Sequence, residues 1–243
     1  MIVPKHFENL NVLHENTMPS HSYYIPASRP MGALVHNREE SDRMQLLNGN
    51  WKFRYYKSIY DLNEPFYQKK EDLESYDEIP VPGNWQNFGY DSHQYANVQY
   101  PWEGHEELHP GQIPERFNPV ASYVKYFTVP ENMQGKRLFV SFQGVESGFA
   151  LWCNGSYVGY SEDTFTPSEF ELTSYLKEGE NKLAVQVFKW TSGSWCEDQD
   201  FFRFSGIFRD VYLYSIPDTH VSDIRIKTIL NDTYDRGNLE IVL

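Results

Sequence analysis

Short runs in which apolar and polar residues alternate recur along most of the chain. Leu138, Val140 and Phe142 share one face of such a run, as the side chains of a strand with one buried side do. The runs with this pattern, rich in Val, Phe and Tyr, are Trp51–Tyr56, Tyr123–Val129, Arg137–Gln143, Leu183–Trp190 and Val211–Ile216. Helical periodicity is nearly absent. Many short strands joined by turns predict an all-β fold, an antiparallel sandwich or jelly roll.

Turn and helix signals in the sequence predict two further elements, a hairpin and a short helix. Phe149–Cys153 and Ser156–Tyr160 flank Asn154-Gly155, a pair that favours the type I′ turn because both central residues take positive φ. We therefore predict a tight hairpin there. One short helix is predicted over Arg38–Leu47, before the stop signal Asn48-Gly49.

The pattern divides the chain into three segments. Residues 1–50 are polar and broken by prolines, which predicts an arm that lies across another surface. Residues 51–217 hold the strand runs of the sandwich. Within residues 218–243, Val221–Leu230 and Asn238–Leu243 are predicted as two further strands. An immunoglobulin-like domain needs about 100 residues, so we expect the start of a second domain or a borrowed edge, within something longer.

Charge and composition narrow the class of ligand. The 243 residues carry a formal net charge of −13 and no block of basic residues, so the chain suits a neutral substrate or a cation better than nucleic acid or an anionic membrane. Aromatic residues make up 16%, which favours β structure and surfaces that stack on rings. Cys153 and Cys196 predict no disulfide framework. With no signal-like or membrane-length apolar run, we expect a cytoplasmic location.

The segment from Trp190 to Asp210 contains the densest candidate chemistry. It places the carboxylates of Glu197, Asp198 and Asp200 in a loop between two strands. The rings around them are those of Trp195, Phe201, Phe202 and Phe204. Rings cover the C–H face of a sugar, and carboxylates accept from its hydroxyls or bind a hard cation. These residues favour a site for a sugar or a cation over a pair of catalytic carboxylates of the glycosidase type. The structural alternative is a solvated acidic loop that binds no ligand.

Two further motifs each have a functional and a structural interpretation. Val81–Trp102 is dense in aromatic residues, Asn and Gly, which suits a ring-lined sugar pocket and equally a buried aromatic cap over one end of the sandwich. His105–His109 matches H-E-x-x-H, a zinc motif that works only on a helix. Because Pro110 pushes His109 out of the α region, we expect a polar surface loop. No G-x-S-x-G elbow or dinucleotide fingerprint is present.

Three stretches together resemble the N-terminal sugar-binding domain of the large β-galactosidases of glycoside hydrolase family 2. They are VPGNWQNFGYDSHQYANVQYP, FQGVESGFALWCNGSYVGYSEDTFTPSEFELTSYLKEGENKLAVQVFKW and EDQDFFRFSGIFRDVYL. The resemblance runs from about Leu47 to Ile216. It implies a jelly-roll sandwich followed by an immunoglobulin-like domain.

The resemblance also implies what the whole protein does. It points to a retaining enzyme that hydrolyses terminal β-D-galactosides such as lactose, uses Na⁺ and Mg²⁺, and forms a homo-oligomer. Its catalytic glutamates would lie in a later (β/α)₈ barrel outside this chain. We therefore expect the chain by itself to be inactive.

By motif, the resemblance assigns two binding residues. Asn97 matches an asparagine that hydrogen-bonds galactose, and Asp200 matches an aspartate that binds sodium and the galactose 6-hydroxyl. For Arg203 and Arg209 we expect structural ion pairing. The chain departs from the family at His93, where a proline is common, and in the loop 102–118, so the shape of the pocket rim is expected to differ.

Two alternative functions share the sandwich and the aromatic loops. One is a stand-alone carbohydrate-binding module. The other is the same domain of a β-glucuronidase or β-mannosidase, against which Asn97 and the EDQD run favour the galactosidase branch.

Overall fold

The computed structural model describes residues 4–32, 37–62, 65–68, 73–197 and 200–243, and within these ranges it holds strands and short 3₁₀ turns but no α-helix. The first strands are β1 (His14–Glu15), β2 (Met44–Leu46), β3 (Gly49–Tyr56), β4 (Asp77–Val81), β5 (Tyr95–Ala96), β6 (Val120–Thr128), β7 (Arg137–Phe142), β8 (Val145–Glu146) and β9 (Gly148–Cys153). The others are β10 (Ser156–Glu162), β11 (Ser168–Glu171), β12 (Glu180–Phe188), β13 (Phe201–Phe202), β14 (Gly206–Ile207), β15 (Val211–Ile216), β16 (Arg225–Leu230) and β17 (Gly237–Val242). The 3₁₀ turns span Lys5–Glu8, Arg38–Glu40, Ile59–Asp61, Trp85–Phe88, Glu131–Met133, Thr173–Tyr175 and Ser192–Trp195.

Two antiparallel sheets form the predicted sandwich. The larger sheet has the strand order β1-β10-β9-β12-β6-β3-β4, and the smaller has the order β11-β7-β15-β2. Three two-stranded ribbons, β5/β13, β8/β14 and β16/β17, lie outside these sheets. The expected all-β sandwich is therefore confirmed.

The core lies between the two sheets, where their alternating apolar faces meet. Leu138 and Val140 of β7 and Val185 of β12 are among its fully buried side chains. The large sheet is covered on its outer face as well, by a second cluster that includes Phe7, Trp102 and others. The high aromatic content therefore serves two apolar layers rather than one.

The described residues near the N-terminus contact the two sheets of the sandwich. The ring of Phe7 stacks on Phe188, with centroids 5.1 Å apart. Strand β1 extends the edge of the large sheet beside β10. Farther along, the Met18 N–H donates to the Glu169 carbonyl of β11 at 2.8 Å.

The predicted helix over Arg38–Leu47 is wrong. Only Arg38–Glu40 forms a 3₁₀ turn, and Met44–Leu46 is strand β2. A ten-residue helix is marginal without tertiary support, whereas Leu46 and Met44 gain strand partners in Tyr212 and Tyr214 of β15. The sheet edge therefore determines the conformation of this segment.

The hairpin prediction is confirmed. Asn154 and Gly155 have φ values of 52° and 87°, the positive angles that a type I′ turn requires. The turn joins β9 to β10, with Cys153 opposite Ser156.

The two predicted C-terminal strands form a hairpin of their own. In the β16/β17 register Ile226 faces Ile241, and Thr228 faces Leu239. Ile226, Leu239 and Ile241 are all more than half exposed. The hairpin thus has one uncovered apolar face within the described residues, and the division of the chain into arm, sandwich and second domain stays a prediction.

Two expectations about the chain as a whole concern cysteines and membranes. Cys153 is buried, Cys196 is exposed, and neither is in a disulfide. Across the described ranges, no helix has the length and apolarity needed to cross a bilayer.

Candidate functional site

The two segments singled out by composition meet in space. We call residues 81–102 the first rim loop and residues 190–210 the second rim loop. Their strands β5 and β13 pair antiparallel, with Ala96 opposite Phe201 and Tyr95 opposite Phe202. Asn97 directly follows Ala96, and Asp200 directly precedes Phe201, so the two residues assigned by motif lie at the same end of the ribbon.

Backbone hydrogen bonds join the rim loops along their length. The Trp85 N–H donates to the Ser205 carbonyl at 2.9 Å, and the Arg203 N–H donates to the Gln94 carbonyl at 2.8 Å. The loops therefore form one unit at the edge of the sandwich. Asn97 and Asp200 are held at its end.

Glycine at position 206 permits this close approach. Gly206 has φ +123°, a conformation that L side chains rarely adopt. A Cβ there would lie 2.8 Å from the Gly83 carbonyl oxygen and 3.0 Å from the Trp85 ring. A larger residue would push the two rim loops apart.

Asn97 and Asp200 are both exposed and can reach a ligand. The Tyr95 hydroxyl donates to Oδ1 of Asp200 at 2.5 Å. An amide offers both donor and acceptor to sugar hydroxyls, and a carboxylate suits a hard cation. Since no group of three or more His, Cys, Asp or Glu side chains comes together among the described residues, Asp200 fits sodium only as one ligand of a larger set.

Glu197, three residues before Asp200, has a different environment. Its carboxylate accepts from both the N–H and the hydroxyl of Thr164, at 2.8 and 2.6 Å. Burial raises the pKa of this carboxyl. Glu197 therefore anchors the second rim loop and is not poised as the partner of a catalytic pair. Asp198 lies outside the described residues.

The first rim loop has its own buried anchor in Asp91. Asp91 forms an ion pair with Lys189, and their side chains are 4% and 0% exposed. Gln86 donates to the same carboxylate at 3.0 Å and accepts from the Ser205 N–H, which ties the anchor to the second loop. Burial lowers the pKa of Lys189, against the opposing effect of Asp91.

Two more carboxylates under the second rim loop were missed by sequence reasoning. Glu162 accepts from the Tyr160 hydroxyl at 2.7 Å and the Gly193 N–H at 2.6 Å. Burial raises its pKa to about 7. Burial, with a smaller contribution from the charge of Glu197, raises the pKa of Glu146 to about 8. No motif marks these residues, because other groups beside them, such as Gly193 and Glu197, come from a loop distant in sequence.

The two arginines of the second rim loop bind backbone and rings. Arg203 is buried, lies 4.5 Å from the centre of the Phe201 ring and donates to the Glu197 carbonyl at 2.6 Å. Arg209 donates to the Phe165 carbonyl at 2.9 Å. For Arg209 the contacts found in the described residues are carbonyls and rings rather than a carboxylate. The ion pairing expected of the two arginines stays a prediction.

The first rim loop is buried in some parts and exposed in others, and its role in sugar binding stays a prediction. Trp85 and Trp102 are 0% and 2% exposed and belong to the apolar layers. Tyr95 and Val98 are 54% and 88% exposed beside Asn97. The loop is a buried aromatic cap at its ends and an exposed rim in its middle.

The H-E-x-x-H motif is a surface loop, as expected. His105 lies in a turn, and residues 106–109 have no regular structure. The carboxylate of Glu106 accepts from the N–H groups of Glu115 and Arg116, each at 2.9 Å. Glu106 therefore braces the loop that follows instead of serving a metal.

A β-sandwich with a polar and aromatic rim of this kind is typical of carbohydrate-binding domains. The family model described as "Glycosyl hydrolases family 2, sugar binding domain" matches residues 44–217. The chain belongs to this family.

Similar proteins carry two related names. A beta-galactosidase of Clostridium acetobutylicum is 56% identical over 199 residues, which is 82% of this chain and 22% of that protein. A beta-galactosidase of Halalkalibacterium halodurans is 49% identical over 97% of this chain and 23% of that protein. The solved structure of a beta-glucuronidase from an uncultured Clostridium superposes with a TM-score of 0.56 at 25% identity, over 87% of this chain and 35% of that one. The chain thus spans less than a quarter of the curated relatives named here.

Proposed function

We propose that this chain is the N-terminal sugar-binding part of a retaining β-galactosidase that hydrolyses terminal β-D-galactosides such as lactose. The catalytic glutamates belong to a barrel elsewhere in the longer polypeptide, and this chain supplies rim residues of the active site. The proposal is supported by the 56% and 49% identity to proteins named beta-galactosidase.

The position of Asn97 and Asp200 at one end of the β5/β13 ribbon carries the proposal. In it, the Asn97 amide donates to and accepts from galactose hydroxyls, while the Asp200 carboxylate accepts from the 6-hydroxyl and is one ligand of a sodium ion. The proposal is supported by the exposure of both residues and by their positions next to the Ala96–Phe201 pair.

From the same resemblance we infer that the longer protein is a homo-oligomer and requires Mg²⁺, with the magnesium ligands outside this chain. The cytoplasmic location expected from the sequence remains part of the proposal. Sodium, when bound beside Asp200, would supply a positive charge for the sugar hydroxyl. Net charge −13 agrees with a neutral sugar and cations as ligands.

The test uses N97A and D200N in the longer polypeptide. Each substitution is expected to lower kcat/KM for a nitrophenyl β-galactoside by roughly 10- to 100-fold, since one or two hydrogen bonds to the sugar are lost. For D200N the response of activity to NaCl, measured against choline chloride at equal ionic strength, should also weaken. Unchanged kinetics in both variants would refute the assignment of this rim to the active site.

Three measurements separate the alternative functions. A preference of the longer protein for nitrophenyl glucuronide or mannoside over galactoside would overturn the galactosidase branch in favour of its relatives. Robust turnover of a galactoside by the 243-residue chain alone would contradict the absence of catalytic residues from it. Tight galactose binding by the chain alone, measured by calorimetry, would favour a stand-alone binding module.

A further inference from the structure

One face of the β5/β13 ribbon carries alternating residues of both rim loops. Side chains that stand opposite each other in an antiparallel pair lie on the same face, so Tyr95 of one loop points the same way as Phe202 of the other. Their neighbour Ala96 faces inward and is only 6% exposed, whereas Tyr95 and Phe202 are 54% and 50% exposed. The exposed face therefore presents two rings, and the Tyr95 hydroxyl on it reaches the carboxylate of Asp200.

Tyr95 is fixed in place on this face by its neighbours. Its ring lies 5.5 Å from that of Phe202, which in turn stacks on Phe204 at 5.6 Å. The ring of His93 meets Phe204 edge-on at 5.5 Å, which continues the same face by one more pair. The phenol is thus held at its ring end by a row of aromatic contacts while its hydroxyl end is free to reach Asp200.

The hydroxyl makes a specific bond to the site. It donates to Oδ1 of Asp200 at 2.5 Å. A carboxylate has two oxygens and about four acceptor positions, so this bond leaves Oδ2 available to a ligand.

We propose that Tyr95 is a positioning residue for Asp200: its hydroxyl fixes the rotamer of the carboxylate so that Oδ2 faces the ligand beside Asn97. An exposed aspartate at a strand end otherwise samples several rotamers, and holding one in advance lowers the cost of binding. The inference rests on the proposed function, because Asp200 must bind the substrate or its cation for its orientation to matter.

The experiment is a double-mutant cycle in the longer polypeptide with Y95F, D200N and Y95F/D200N. Y95F keeps the ring and removes only the hydroxyl. We expect it to raise KM for a nitrophenyl β-galactoside by about tenfold, which corresponds to one hydrogen bond to a charged group. In the D200N background the same change should alter KM by less than about twofold, because no carboxylate remains for the hydroxyl to position.

A matched control is Y60F, since Tyr60 is exposed to a similar degree, 56%, and lies away from the ribbon. It should leave KM and kcat unchanged. Thermal unfolding of Y95F should match the wild-type protein, which separates positioning from loss of structure. An equal effect of Y95F with and without D200N, or no effect on KM while D200N is damaging, would overturn the role of Tyr95. No effect of D200N itself would instead overturn the proposed function.

Discussion

Each rim loop combines an acidic side chain that is held by a partner with an exposed polar one. Asp91 and Glu197 bind partners outside their own loops, Lys189 and Thr164. Asn97 and Asp200 are exposed. Burial and partners therefore separate the carboxylates that anchor the loops from Asp200, the carboxylate that we propose as a ligand.

The largest effect is expected from disrupting the buried ion pair of Asp91 and Lys189, which anchors the first rim loop. D91N removes the negative partner of Lys189, whose ammonium is buried over the rings of Phe117 and Trp190. Removing one partner of a buried ion pair costs about 3–5 kcal/mol, because the other charge is left uncompensated. We expect a loss of this size in the free energy of unfolding, measured by urea denaturation of the chain.

The matched control for that prediction is the double variant D91N/K189M. With both charges gone, the penalty of an unpaired buried charge disappears, and most of the lost stability should return. A double variant no more stable than D91N would mean that the charges are not coupled as the structure has them.

The alternation of apolar and polar residues predicted most of the fold, but it did not predict which side chains anchor the rim loops. Alternation located the strands because burial in a sandwich imposes period two, and it failed at Met44–Leu46, where pairing with β15 decides the conformation. Asn97 and Asp200 were found through a family motif. The link between Asp91 and Lys189 had no local signal, because it depends on how two loops distant in sequence meet.

An effect of intermediate size is expected on the pH dependence of the unfolding free energy, through the protonation of Glu146. Its pKa in the folded chain, raised by burial to about 8, lies above its ordinary value of 4.5. Between these values the folded chain holds a proton that the unfolded chain has lost, so stability falls as pH rises, by at most about 1.4 kcal/mol per pH unit. E146Q removes this proton exchange.

The measurement compares unfolding free energies of the wild-type chain and E146Q from pH 5 to pH 8. The two should be alike at pH 5, and E146Q should become the more stable by about 1–3 kcal/mol near pH 7. E78Q is a control, because Glu78 is exposed and its pKa is lowered by Lys52. A gap between wild type and E146Q that does not widen with pH would contradict a buried, protonated Glu146.

The smallest effect on stability is expected at Asp200, the exposed carboxylate of the second rim loop. D200N removes a charge whose bond in the described part of the chain is to the exposed Tyr95, so unfolding free energy should change by less than about 0.5 kcal/mol. E197Q, three residues away, puts an amide NH₂ where one buried carboxylate oxygen accepts from Thr164, and should cost about 1–2 kcal/mol. Urea denaturation of both variants side by side measures the contrast. If D200N cost as much as E197Q, Asp200 would be a structural anchor like its neighbour, and the separation of ligand from anchor in this loop would fail.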